Sequence, residues 1–437
     1  MTKLRDNQQS LRDEYRRTVG AFPPRVPLSM EVVSKRVFPY RDGRFLPDPA
    51  VDGYEEWRID YAAEGPESMP EASLRRVPAY LLVPHATKFR PPYPAAVCFH
   101  QCSCDCGSGK EAVVGKHVDR PDQAYGYELV LQGFVVLAPD HYNCGERNVP
   151  SIRGQDQQVV GCFPAVSKVT GRTNMRFSEA LHAARAVDLL ESLEFVDKSR
   201  IAAVGHSMGT GPVIEGMACD ARIRAGIVSG GGPDLAQLAC IAPRPLMQLQ
   251  GLHDGGPEKA KHWQEIHAVG KAWYEVTGRR EDLVLEILPG GHVFLDQFKW
   301  KAYHALKSMF GMMPPRERVS LTELLSSRLP TDRTRLDADG EYFVLADAEA
   351  LGRAFGGIFG ALCERMVASS EMGIAVCGAD DQARITITVS EADDDLPVPH
   401  GYGVRGAEQT FVEHGTALTH GNRDGGIEYA VTLRTIE

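Results

Sequence analysis

The chain has 437 residues, 43% of them hydrophobic and 24% charged, with a formal net charge of −10. That length exceeds one ordinary core, so two domains are expected. No run of 18 apolar residues occurs, which argues against a transmembrane helix, and the charged start MTKLRDNQQSLRDEYRRT has no apolar stretch for a secretory signal, which makes the cytoplasm the expected location.

Residues 1–50 read as a charged helix followed by a Pro-rich, irregular lead-in. Val77–Val83 and Ala95–His100 are apolar runs that read as neighbouring strands, and Phe134–Ala138 is a third, stopped by Pro139 and Asp140. Residues 141–173, rich in Gly, Pro, Asn and Gln, read as a long excursion. Ser178–Leu193 carries apolar residues at helical spacing. Ile201–Val204 is a short buried strand, and Ile223–Val228, Pro245–Gln250 and Leu283–Leu288 are three more, with room for helices between them. A closing helix is expected over 298–311. Strand alternating with helix predicts an α/β domain over 51–313, built on a doubly wound, mostly parallel sheet.

Residues 314–338 read as a linker. Beyond them Asp347–Val367 is helical, while Ile374–Val376, Arg384–Val389 and Glu428–Arg434 are strands, giving a smaller α+β domain over 339–437. From Pro315 onward there are 11 Arg, no Lys and 21 Asp or Glu residues, so the whole net charge sits in this tail. Such a surface repels phosphate, so nucleic acid is not an expected partner, and neither is a membrane. Cys98, Cys102, Cys104 and Cys106, four of the ten cysteines, crowd together. Their spacing is not the C-x-x-C of common zinc sites, so free thiols are expected, with no metal and no cofactor.

The chemistry concentrates at Gly205-His206-Ser207-Met208-Gly209, a G-x-S-x-G sequence between a buried strand and a helix-compatible run. A strand-to-helix turn this sharp holds the serine in a strained backbone conformation and presents its hydroxyl at the carboxyl end of the sheet. A hydroxyl needs a base to take its proton. His292, in LPGGHVF after a predicted strand, is placed to supply one; His253 is its main rival. Asp254, in QGLHDGG after the preceding strand, can fix the imidazole tautomer and stabilise the imidazolium. Asp296 and Asp234 are the alternatives, each with an ordinary reading as a turn former or helix cap. A tetrahedral oxyanion needs two N–H donors. One is the backbone of Met208, the other that of Gln101 or Cys102 in the loop after Ala95–His100.

RVPAYLLVP, AAVCFHQ, GKE, GFVVLAPDHYNCGER, VDKSRIAAVGHSMG, IAPRPLMQLQGLHD and LPGGHVF occur in that order. On these stretches, residues 30–311 resemble the dienelactone-hydrolase and acetyl-xylan-esterase-like branch of the α/β hydrolases, near the prolyl-oligopeptidase superfamily. The resemblance implies the α/β-hydrolase fold, a triad of Ser207, Asp254 and His292, an oxyanion loop at His100–Cys102, and cleavage of an ester or related acyl bond in a small-molecule substrate. The chain departs from its relatives in the insertion CSCDCGSG and in residues 141–173, so the resemblance does not carry a substrate over.

The last hundred residues resemble the ATP-binding domain of histidine kinases. ADAEALGRAFGGIFGALCERM matches the helix that carries a metal-binding Asn there, but Gly360 stands at that position. ARITITVSEADDD precedes the place of a D-x-G-x-G box, whose glycines are missing. The resemblance therefore implies a degenerate domain kept for packing, lid formation or dimerisation, with a homodimer through it a possible assembly. A regulatory or nucleotide-sensing protein, or a lyase, acyltransferase or peptidase using the same three residues, is the competing reading.

Overall fold

A computed structural model describes residues 2–38, 53–85, 89–102, 109–117, 121–142, 144–148, 172, 174–288, 290–294, 296–312, 317–329, 334–363, 366, 370–379, 381–390, 407, 411, 416–423 and 426–436. They fall into two compact units, the first ending at Phe298 and the second beginning at Lys299. Among them no helix is long and apolar enough to cross a membrane. Cys104 and Cys106, most of residues 141–173 and the acidic run 391–395 lie outside the described residues.

The first unit is built on nine strands: β1 Glu31–Phe38, β2 Tyr54–Ala62, β3 Arg76–Pro84, β4 Tyr93–Phe99, β5 Val135–Pro139, β6 Val196–His206, β7 Ala225–Ser229, β8 Leu246–Gly251 and β9 Leu283–Leu288. Their order in the sheet is β1-β2-β3-β5-β4-β6-β7-β8-β9. The first three strands and the β3–β5 pair are antiparallel, and every pair from β5 onward is parallel. The helices Met175–Ser192, Thr210–Cys219, Leu235–Ile241 and Gly256–Val276 connect the parallel strands. This is the α/β-hydrolase fold. Every residue of β4 (YPAAVCF) and β5 (VVLAP) is buried. A parallel strand covered on both faces has no solvent side, so its sequence is continuously apolar. On one face of the sheet, Ala95, Val97 and Phe99 of β4 and Val135 and Leu137 of β5 join buried side chains of the helices in one core cluster.

Three readings of the sequence are corrected here. β3 and β4 are not neighbours, because β5 lies between them and pairs with both. Adjacency along the chain is only a tendency, and three apolar runs do not disclose their own order. The lead-in is not irregular throughout: after the helix Thr2–Val19 it contributes β1, a strand at the sheet's edge. In β1 the alternation is broken by Ser34-Lys35-Arg36, with Val32, Val33 and Val37 exposed, so period-two patterning is lost. The third correction falls in the second unit.

That unit has the order β10-β12-β16-β14-β13-β11, with β15 beside β16, where β10 is Glu317–Ser320, β11 Thr334–Ala338, β12 Phe343–Ala346, β13 Met372–Ala379, β14 Gln382–Val389, β15 Leu418–Arg423 and β16 Gly426–Ile436. Residues 317–338, read as linker, thus supply both outer strands and the helix Leu321–Ser326. Their Arg, Asp and Ser content suits edge positions, where polar side chains meet water; a polar edge strand looks like a loop in the sequence. β14 alternates exposed and buried residues, and its apolar face joins Leu351, Phe355, Ile358, Phe359 and Leu362 of the helix Ala348–Cys363 in a separate core.

Candidate active site

β6 ends at His206, and at Ser207 the chain turns with φ +56°, in the left-handed region that a side chain-bearing residue occupies only under strain. The helix Thr210–Cys219 starts three residues later. Two close approaches make the turn possible. A Cβ on Gly205 would stand 2.1 Å from the carbonyl oxygen of Gly209, and one on Gly209 would stand 2.0 Å from that of Phe99 at the end of β4. Glycine at both places is therefore a steric requirement. Thr210 Oγ1 donates to the Ser207 carbonyl at 2.7 Å and ties off the turn.

His292 lies in the loop after β9. Its Nε2 stands 2.7 Å from Ser207 Oγ, and its Nδ1 stands 2.8 Å from Asp254 Oδ2. With Nδ1–H donating to the carboxylate, Nε2 is left as the acceptor for the serine proton. Asp254 follows β8. The two loops meet at Gly251, where a Cβ would stand 2.3 Å from the Gly291 carbonyl oxygen, and the His253 N–H donates to the Gly290 carbonyl at 2.8 Å. His206, buried inside the turn, backs the imidazole: its ring centroid is 5.0 Å from that of His292, and its Nδ1 is 3.1 Å from Ser229 Oγ.

Burial pushes the Asp254 carboxyl up. Hydrogen bonds from His292, Lys259 and Gln250 outweigh it and hold the group below the usual carboxylate range. Gln250 Nε2 donates to Asp254 Oδ2 at 3.0 Å and to its carbonyl at 3.1 Å; Lys259 Nζ is 3.0 Å from Oδ1. Neither residue stood out in the sequence. The only signal was a lysine five positions after the aspartate.

The structure thus brings Ser207, His292 and Asp254 together and leaves the alternatives apart. His253 has an exposed side chain and joins the histidine loop through its backbone. Asp234 caps the helix Leu235–Ile241 in a reciprocal arrangement with Gln237 and pairs with Arg176 at 2.9 Å. Asp296 heads the helix Asp296–Met309, its side chain outside the described residues.

The loop after β4 reaches the turn as well. The side chains of Cys102 and Met208 each pack against buried Cys144. Gln101 is buried, with Nε2 donating to Gln123 Oε1 at 2.7 Å. His100 scaffolds the loop. It accepts the His141 N–H at Nε2 (3.1 Å), so its proton is on Nδ1, which donates to the Gln101 carbonyl at 2.8 Å. His141 in turn donates from Nε2 to the His100 carbonyl at 3.0 Å. Burial pushes both imidazoles down, keeping them neutral and suited to this exchange.

Below the loop the stretches GKE and PDHYNCGER meet in a buried ion pair. Lys110 Nζ lies 2.7 Å from Asp140 Oδ2, 2.7 Å from Glu146 Oε1 and 2.9 Å from Glu111 Oε1, and the Asp140 carboxylate also accepts the N–H groups of Lys110 and Glu146. Among the described residues no cluster of three or more His, Cys, Asp or Glu side chains is arranged to hold a metal.

No family model and no curated protein matches the chain. Among solved structures it is similar to a Bacteroides fragilis protein described as an acetyl xylan esterase, at 15% identity and TM-score 0.48, covering 66% of this chain and 76% of that one. It is similar to a glucuronoyl esterase from Solibacter usitatus at 16% identity and TM-score 0.47, covering 67% and 88%. A mycobacterial sensor histidine kinase, MprB, is similar at 18% identity and TM-score 0.24 over 28% of this chain and 97% of its own. The α/β-hydrolase fold of the first unit rests on its own strand order and on the turn at Ser207, with the three side chains on the loops after β6, β8 and β9.

Proposed function

We propose that the protein is a serine hydrolase of the carboxylesterase type, cleaving an ester or related acyl bond in a small molecule. The observation that carries this reading is the unbroken chain of short contacts from Ser207 Oγ through His292 to Asp254, on a turn strained to φ +56°. A structural cluster does not require a nucleophile, a base and an acid in that order, nor strain at the nucleophile.

The chemistry follows from the atoms present. His292 Nε2 takes the hydroxyl proton as Ser207 Oγ attacks the carbonyl carbon. Asp254 stabilises the imidazolium that forms. The oxyanion is met by the N–H of Met208 and by that of Gln101 or Cys102; Cys102 and Met208 both packing against Cys144 supports this reading. The leaving alcohol takes the proton from His292, and a water activated by the same imidazole releases the acyl group. No cofactor enters these steps.

The test is labelling with a fluorophosphonate, followed by turnover of p-nitrophenyl esters of rising chain length, acetylated sugars and lactones. Ser207→Ala is expected to abolish labelling and to lower kcat by roughly a millionfold. Persistent labelling of that variant refutes the proposal.

For the second unit we propose a packing or dimerising role without nucleotide. Gly360, within the helix Ala348–Cys363, has no side chain to ligate Mg²⁺. Calorimetry of the whole protein with ATP or ADP is expected to show no heat of binding, and micromolar binding overturns this.

A further inference from the structure

Resting on the reading of Ser207, His292 and Asp254 as a triad, we infer that Lys259 is a positioning residue that sets the pH range of the reaction by holding the second oxygen of Asp254 and offsetting part of its charge. The two carboxylate oxygens have divided tasks. Oδ2 receives His292 Nδ1 at 2.8 Å and Gln250 Nε2 at 3.0 Å, while Oδ1 faces Lys259 Nζ at 3.0 Å. The pair is sheltered, with the Asp254 side chain 10% exposed and that of Lys259 32% exposed.

Two features show that the lysine does not serve its own helix. It lies in the opening turns of Gly256–Val276, where the helix dipole disfavours a cation. Its stem also depends on a glycine. Gly255 adopts φ +82°, and a Cβ there would stand 2.5 Å from Lys259 Cδ, so the bare position leaves room for the side chain as it folds back to Asp254.

The consequence is electrostatic. A lone carboxylate against His292 Nδ1 stabilises the imidazolium that forms during attack. An ammonium on the far oxygen offsets part of the charge the imidazole meets, so removing it strengthens the carboxylate's hold on the imidazolium. Among the described residues, His206 from the end of β6, whose ring centroid lies 5.0 Å from that of His292, and His253, the exposed neighbour of Asp254 in the chain, are titratable groups near the pair. Gln250 contributes a dipole and no charge.

The experiment measures the rate of Ser207 labelling by a fluorophosphonate from pH 5 to pH 9, which needs no known substrate, beside an NMR titration of the His292 Cε1–H signal. The proteins are wild type, Lys259→Met, Lys259→Gln and Lys259→Arg. In Lys259→Met the acidic limb and the NMR midpoint are expected to move up together by about one unit, so that labelling at pH 6 slows about tenfold. Lys259→Arg restores the cation and should bring both back toward wild type, which a purely structural role would not do. Lys259→Gln gives the same reading should the methionine variant fail to fold. Ser207-dependent labelling with unmoved profiles in the Met and Gln variants overturns this inference alone. Labelling that survives Ser207→Ala overturns the triad and the inference with it.

Discussion

Lys110→Met tests the foundation on which the site stands. Lys110 and Asp140 are both wholly buried, and the substitution keeps most of the aliphatic stem while removing the cation. Asp140 Oδ2 then loses its 2.7 Å partner, and the carboxylate is left with the N–H of Lys110 on Oδ1 and that of Glu146 on Oδ2. Leaving a buried charge without its counterion costs about 3–5 kcal/mol. Unfolding entropy near 2.1 cal/mol/K per residue, over a unit of roughly 300 residues, converts 4 kcal/mol into a fall of about 6 °C in Tm. Scanning calorimetry reads this on the first unit's transition. Lys110→Met combined with Asp140→Asn removes both charges and keeps an acceptor, so it is expected to recover a good part of the loss. A single variant within 1 °C of wild type, or a double variant no better than the single, refutes the reasoning that charge compensation holds this loop pair.

Two further outcomes follow from the geometry. Gly209→Ala forces a Cβ to within 2.0 Å of the Phe99 carbonyl oxygen, so β4 and the turn must separate. Labelling of Ser207 should slow by about 10²- to 10³-fold, the usual cost of displacing one oxyanion donor, while Met208→Leu changes it little. Glu179, pressed against Gly211 of the helix Thr210–Cys219, is pushed up by burial and by Glu215 to about 8, against an ordinary 4.5. Between those values the native state holds a proton that the unfolded chain has released, so stability falls as pH rises through the window. Burial likewise raises Glu215, to about 7, which adds to the fall. Glu179→Gln should flatten the dependence and be more stable than wild type by roughly 1–2 kcal/mol at pH 8, with little difference near pH 4.5. Parallel melting curves across this range would count against it.

The sequence by itself determined the features that local physics dictates. Only glycine tolerates the contacts at positions 205 and 209, so G-x-S-x-G after a buried strand announced the turn. Continuous apolar runs announced β4 and β5, because a strand covered on both sides has no polar face. The order of Ser207, Asp254 and His292 along the chain placed each after its own strand, and the structure sets them 2.7 and 2.8 Å apart. The tertiary structure alone decided what depends on which surfaces meet. It put β5 between β3 and β4, and made strands of the polar segments at β1, β10 and β11, whose edge positions free them from apolar patterning. It also joined His100 to His141 and Lys110 to Asp140. Each pairing spans a loop closure, and a charge or a ring carries no mark in the sequence of the partner it will find.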